Sequence, residues 1–130
     1  MNPYVADTHA LFWYLIASPR LGAGAKRAFD EGLRGEAVIY ISAMVLAELY
    51  YMNVKLGGQL DFGAELQRLR RGSQFVLVPL LPDDILDFET DQAVPEMHDR
   101  IITGVARRLQ ATILTRDSQI AGSGRAPTLW

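Results

Sequence analysis

Tyr4-Val5-Ala6-Asp7-Thr8-His9-Ala10-Leu11 is the stretch on which the reading of this chain turns. A short apolar run ends at an aspartate, and a helical pattern follows at once, with Leu11, Trp13, Tyr14 and Leu15 apolar within Thr8 to Ile16. This predicts a buried strand that carries Asp7 at its carboxyl end and passes directly into a helix. Ser18-Pro19-Arg20 breaks that helix, because proline disfavours a helical residue before it. Further along, Ala25, Ala28, Phe29 and Leu33 mark a second helix from Ala23 to Leu33, closed by Gly32 and Gly35.

The strand-then-helix unit recurs. Ala37 to Ile41 is apolar and rich in β-branched residues, and Ser42 follows as an expected helix N-cap. Met44, Val45, Leu49 and Met52 then form a helical stripe that ends at Gly57-Gly58. Ala64 to Arg71 is expected to be a helix with Leu66 and Leu69 inward and Arg68, Arg70 and Arg71 outward. Phe75 to Val78 is a third strand, and Pro82 opens an acidic helix expected to run through Asp91. His98 to Leu109 has Ile101, Ile102, Val105 and Leu109 on one side. Thr112 to Thr115 is a fourth strand, and Thr128 to Trp130 adds a last short one. Strands alternating with helices predict a single α/β domain over residues 1–130, with a mostly parallel central sheet flanked by helices.

Composition narrows the function classes. Of 130 residues, 49% are hydrophobic and 22% charged, enough apolar matter for one continuous core and nothing that suggests disorder. With no cysteine, disulfides, zinc–thiolate sites and cysteine nucleophiles are all excluded. That fits a reducing compartment, and a cytoplasmic location is expected. No basic region precedes an apolar run at the N-terminus, so no signal peptide is read there. The run from Ala10 to Ala17 falls well short of the roughly 20 residues that span a bilayer, so no membrane segment is expected. The net charge of −2 hides an asymmetry: nine acids and three arginines from Asp61 to Asp99, then five arginines and a single acid from Arg100 to Trp130. Such a pattern means either a local basic surface or solvated helix faces.

In an open parallel sheet, ligands bind outside the carboxyl ends of the strands. Asp7 leaves the first strand there, Asp117 stands just after the fourth, and Glu48 lies within two turns of the helix that follows the second. Asp99, in the first turn of its helix, reaches the same edge only if the preceding loop delivers that helix to it. Carboxylates gathered in one place repel one another, and a hard divalent cation such as Mg2+ or Mn2+ relieves the repulsion. Such an ion can polarise a phosphoryl oxygen and activate water. The plainer reading, turn formers and helix caps, stands beside it. Glu48 shifts the balance toward a metal, since it sits in the apolar stretch Val45 to Tyr51, where an unpaired carboxylate is costly, although it could instead lie on the stripe's edge and reach solvent.

Asp7-Thr8-His9-Ala10-Leu11, Ser42 to Leu49 with Glu48, His98-Asp99-Arg100-Ile101-Ile102 followed by Ala106, and Leu114-Thr115-Arg116-Asp117 together resemble, in order and interval, the four motifs of PIN-domain nucleases. The resemblance runs from about Tyr4 to Ile120, and the compact form looks most like the VapC-type toxins of toxin–antitoxin pairs. It implies a Mg2+- or Mn2+-dependent endoribonuclease with Asp7, Glu48, Asp99 and Asp117 as catalytic and metal-site acids. It also implies an RNA substrate, a homodimer and a cognate antitoxin protein. Thr115 matches a position with a hydroxyl near the metal, and Thr8, Arg100, Arg116 and His98 are secondary candidates beside the acids. One departure is that many relatives carry a proline-containing insert directly before the Asp-Arg pair, where this chain has His98 and places Pro95 earlier.

Each secondary candidate also has a structural reading. His98 could shuttle a proton or cap a helix, and His9 is read the same way. Arg100 and Arg116 could bind RNA phosphates or pair with carboxylates. Phe12, Trp13, Tyr14, Tyr50 and Tyr51 could stack bases or form core and dimer contacts. Two other classes compete with the nuclease. An aspartyl-nucleophile phosphotransfer domain would want a second aspartate at position 9 or a lysine after a late strand, and this chain has His9 and no lysine beyond Lys55. A PIN-like RNA- or protein-binding module without turnover would be expected to lack an acid, and none is missing.

Overall fold

The computed structural model describes residues 1–130. Its elements run β1 (Asn2–Ala6), α1 (Thr8–Leu15), α2 (Ala23–Leu33), β2 (Ala37–Ser42), α3 (Ala43–Lys55), α4 (Phe62–Arg71), β3 (Phe75–Val78), α5 (Pro82–Leu86), α6 (Met97–Leu109), β4 (Thr112–Leu114), α7 (Ser118–Ser123) and β5 (Thr128–Leu129). The five strands form one sheet in the order β3-β2-β1-β4-β5, every pair parallel. No helix is long and apolar enough to cross a membrane.

Neighbouring residues of a strand point to opposite faces. Val5 and Ala6 in β1, and Ile113 and Leu114 in β4, are all completely buried, so both faces of the sheet centre are covered. That is why these strands read as continuous apolar runs rather than alternations. β1 begins two residues earlier than its apolar run suggests and includes Pro3. Proline has no N–H for a ladder, yet here it does no harm. Asn2 donates toward the β2 side (to Glu36 O) and Asp7 toward β4 (to Leu114 O), so odd-numbered positions face β4. β4 pairs with β1 only from Tyr4 onward, so the Pro3 nitrogen faces a place where no partner strand has begun.

On α3 the buried line is Val45, Leu49 and Asn53, a step of four each time, with Met44 and Met52 half-buried at its margin. Asn53 is inward because its side-chain amide clasps the Leu60 backbone at both N–H and C=O, 2.9 and 2.8 Å. That clasp closes the loop through Gly57 and Gly58, whose φ of +96° and +73° would strain any residue with a Cβ.

The acidic segment departs from expectation. α5 stops at Leu86 instead of Asp91, and residues 87–93 form a chain of turns. The cause is tertiary. Asp91 is wholly buried, held by Arg107 at 2.7 Å and Arg125 at 3.3 Å, while Arg108 takes Asp84 at 2.5 Å and also pairs with Asp87. The charge asymmetry of the sequence is therefore largely an internal match between an acidic connection and the arginines of α6 and the C-terminal segment, not a free basic surface.

Candidate active site

The strand order reverses at β1: β2 and β3 continue to one side, β4 and β5 to the other. Such a switch point leaves a crevice at the carboxyl ends of the two central strands. Asp7 stands on one wall and Asp117 on the other. Asp7 is 9% exposed and opens α1 as its N-cap, Oδ1 accepting from the Ala10 amide at 2.8 Å. Asp117 opens α7 in the same way, Oδ1 accepting from the Gln119 and Ile120 amides at 2.8 and 3.2 Å. Helix capping and site formation are thus one arrangement, because each cap uses a single carboxylate oxygen. Thr115 lies beneath both, 2% exposed. Its Oγ1 accepts from the Asp117 amide at 3.0 Å, and its hydroxyl counters the rise of the Asp7 carboxyl.

Glu48 and Asp99 complete the cleft, a depression of about 440 Å³ that also includes Thr8, His9, Arg116, Ser118 and Gln119. Glu48 sits at the edge of the buried stripe of α3 with both oxygens held. Thr8 Oγ1 donates to Oε1 at 2.9 Å, and His98 Nδ1 stands 3.1 Å from Oε2. His98 also lies 3.3 Å from Oε1 of Glu96, the residue that caps α6. So Thr8 lines the cleft and positions Glu48 at once, while His98 stands behind Glu48 rather than in the cleft lining.

Asp99 depended on a loop the sequence could not place. That loop is pinned by the Asp91–Arg107–Arg125 cluster and by Arg100, whose Nε donates to Val94 O at 2.5 Å and whose Nη1 reaches Phe88 O at 3.5 Å. Arg100 accordingly turns to the loop backbone, pairs with no carboxylate and does not line the cleft. Arg116 does line the cleft, its guanidinium 4.5 Å from the Trp13 ring centroid. Ser118 and Gln119, unremarkable in sequence, reach the cleft because α7 starts there.

The electrostatics report the convergence. The Asp99 carboxyl is pushed up to about 6, first by burial and then by the charges of Asp117, Glu96, Glu48 and Asp7. Asp7 is raised too, chiefly by burial, against the lowering effect of Thr115, the Ala10 amide and His9. A folded carboxyl that titrates above its ordinary 3.8 holds its proton more tightly than the unfolded chain does. Its charge therefore destabilises the fold above about pH 6, and the penalty disappears below about pH 4. Asp99→Asn is expected to raise metal-free stability by about 1 kcal/mol at pH 7.5, after allowance for solvent screening of a half-exposed group, and to give no gain near pH 4. Urea melts at the two pH values check this; a variant whose pH dependence matches the parent's would show that Asp99 is not under this field.

Four acids so arranged can share a proton, or share a cation. No three of the side chains close on one point as a ready-made ion cage.

A family model described as PIN domain matches residues 4–123. Among solved structures, the fold is similar to Mycobacterium tuberculosis VapC20, a sarcin-ricin loop cleaving toxin, at TM-score 0.71 and 16% identity over 93% of this chain and 95% of that one. FitAcB from Neisseria gonorrhoeae gives 0.69 and 17% over 96% and 95%. VapBC2 from Rickettsia felis, bound to a DNA fragment from its promoter, gives 0.67 and 16% over 97% and 96%. Identities this low establish likeness of fold alone. No curated protein matches the sequence. With the model spanning nearly the whole chain and its four acids gathered at the sheet's switch point, this protein belongs to the PIN-domain family.

Proposed function

We propose that this PIN-domain protein is a Mg2+- or Mn2+-dependent endoribonuclease acting as the toxin of a type II toxin–antitoxin pair. The observation that carries the proposal is the convergence of Asp7, Glu48, Asp99 and Asp117 in one cleft, close enough that their mutual repulsion helps hold Asp99 at about 6. The donor set suits a hard cation: carboxylate oxygens and hydroxyls, with no thiolate. Mg2+ commonly keeps several waters and takes one or two carboxylates together with substrate phosphate, so an open set without a closed cage fits it. Asp7, Asp117 and Asp99 would hold the ion, with Glu48 beside them. When bound, such an ion supplies Lewis-acid polarisation of a phosphoryl oxygen and lowers the pKa of water. The chain's own part is to fix the acids: Thr8 and His98 orient Glu48, Thr115 holds the Asp117 amide, and the helix caps set both aspartates.

Likeness to a sarcin-ricin loop cleaving toxin supports RNA as the substrate, and likeness to VapBC2 on promoter DNA supports pairing with a cognate antitoxin. A homodimer is part of the reading. Leu81, Ile85 and Leu86 at α5 are exposed apolar residues that a second copy would cover. The test is cleavage of RNA with added Mg2+ or Mn2+ and with EDTA, alongside thermal melting. Cleavage is expected only with metal, and metal at a hundredfold its Kd should stabilise the fold by about 2.7 kcal/mol. Cleavage undiminished by EDTA would overturn the proposal. No cleavage and no metal-induced shift would favour an RNA- or protein-binding module instead.

A further inference from the structure

Beside the acid cleft lies a second recess, about 460 Å³, of opposite character. Arg20 from the α1–α2 connection, Lys55 from the last turn of α3 and Arg116 from the β4–α7 connection line it, and no carboxylate does. All three cations are exposed, and none has an ion-pair partner. Of the ten other cations, Lys26, Arg34, Arg68, Arg107, Arg108 and Arg125 each have a carboxylate at hand, and Arg27, Arg70, Arg71 and Arg100, which have none, do not line the recess. Three like charges delivered to one concave wall by three separate elements repel one another unless an anion comes between them. Folding alone gives no reason for that arrangement.

Two further features specify the anion. Arg116 lies over the face of Trp13, which is 5% exposed and braced edge-on by Trp130 at 5.7 Å. A guanidinium stacked by its face keeps its N–H edge free for phosphate oxygens. At the rim stand two exposed rings, His9, 5.2 Å from Trp13, and Tyr51, 72% exposed. Aromatic rings next to a cationic groove are what single-stranded nucleic acid uses, since its bases are free to stack, whereas a duplex keeps them inside. His9 and Arg116 line both the recess and the acid cleft, so a strand can pass between them without a gap.

We propose that this recess is a subsite for single-stranded RNA. It holds the nucleotides next to the phosphate at the carboxylates, with phosphates on Arg20, Lys55 and Arg116 and a base stacked on Tyr51. The proposal rests on the reading of the substrate as RNA, but its test needs no catalysis. A fluorescently labelled single-stranded RNA is titrated with the Asp7→Asn chain in EDTA at several salt concentrations, and anisotropy gives Kd. Neutralising Arg20, Lys55 and Arg116 together with glutamine is expected to flatten the log Kd against log salt slope by about two, at roughly 0.7 per phosphate contact. Tyr51→Ala should weaken binding about tenfold and leave that slope alone. Arg70→Gln with Arg71→Gln, exposed cations on α4, should change neither. Thermal melting of each variant against the Asp7→Asn parent verifies folding, and Arg20, Lys55, Arg116, Tyr51, Arg70 and Arg71 are all exposed. An unchanged slope in the triple variant, an equal loss in the α4 control, or an unchanged affinity in Tyr51→Ala would overturn the subsite. So would duplex RNA or polyglutamate binding as tightly through the same residues. RNA that binds as expected but is never cut by the parent chain with Mn2+ would sink the nuclease reading and leave the subsite standing.

Discussion

Asp7→Asn is expected to lower RNA cleavage on the order of a thousandfold at saturating Mn2+, since a cation-binding charge at the reacting phosphate contributes several kcal/mol and each 1.4 kcal/mol is about tenfold in rate. The substitution separates chemistry from folding unusually well. An asparagine oxygen can still accept the Ala10 amide, so the cap of α1 survives. The variant also removes a buried carboxyl whose charge the fold resists. Its melting temperature without metal should therefore equal or exceed that of the parent. Initial rates on RNA and melting curves on the same preparation check both halves. A rate near the parent's would remove Asp7 from the reaction, and a collapse in stability would mean that its role is structural.

Arg107→Met carries the largest expected effect on stability, a loss of about 3 kcal/mol. Breaking one partner of a buried ion pair leaves the other charge stranded. Asp91 has no exposure at all, and with Arg107 gone only Arg125, at 3.3 Å, remains to face it. Methionine keeps most of the stem's apolar packing, so the loss reports the charge. Lys26→Met breaks an ion pair on the open surface of α2 and should cost no more than about 0.5 kcal/mol. Urea melts of the two variants make the comparison. Equal losses would mean that the Asp91 cluster is not what holds residues 87–96. If it is, Arg107→Met should also lose RNA cleavage under conditions where it remains folded, because α6 delivers Asp99 from that loop.

The central strands were legible for one reason: β1 and β4 are buried on both faces, so their apolar runs are unbroken, and the acid that follows each marks where it meets solvent. Asp7 and Asp117 could be placed from this alone. Glu48 announced itself as a charge among apolar neighbours, and its half-exposed position at the stripe's edge is one of the two readings that pattern allows. What could not be read depends on contacts between segments far apart in the chain. The end of α5 at Leu86, the pairing of Asp91 with Arg107 and Arg125, and the turn of Arg100 toward Val94 and Phe88 have no local signature, because Asp and Arg look alike on a solvated face and in a buried pair. The bond from Thr8 to Glu48, forty positions apart, is of the same kind. The Asp99 position followed from these contacts, so it rested on family likeness until the loop was seen.

The reversal of strand order at β1 also bears on when the site comes into being. Asp7 and Glu48 belong to the segment that ends with β3, in which β2 pairs with both β1 and β3, while Asp99 and Asp117 arrive only with α6 and the docking of β4 against β1. A chain emerging from the ribosome can assemble its early strands first. At that stage it holds two of the four acids and one side of the crevice. The β1–β4 pairing joins residues near opposite ends of the sequence, a slow kind of contact to form. A copy folded only as far as β3 therefore lacks two of the four acids, and the cleft is complete only once α6 and β4 have docked.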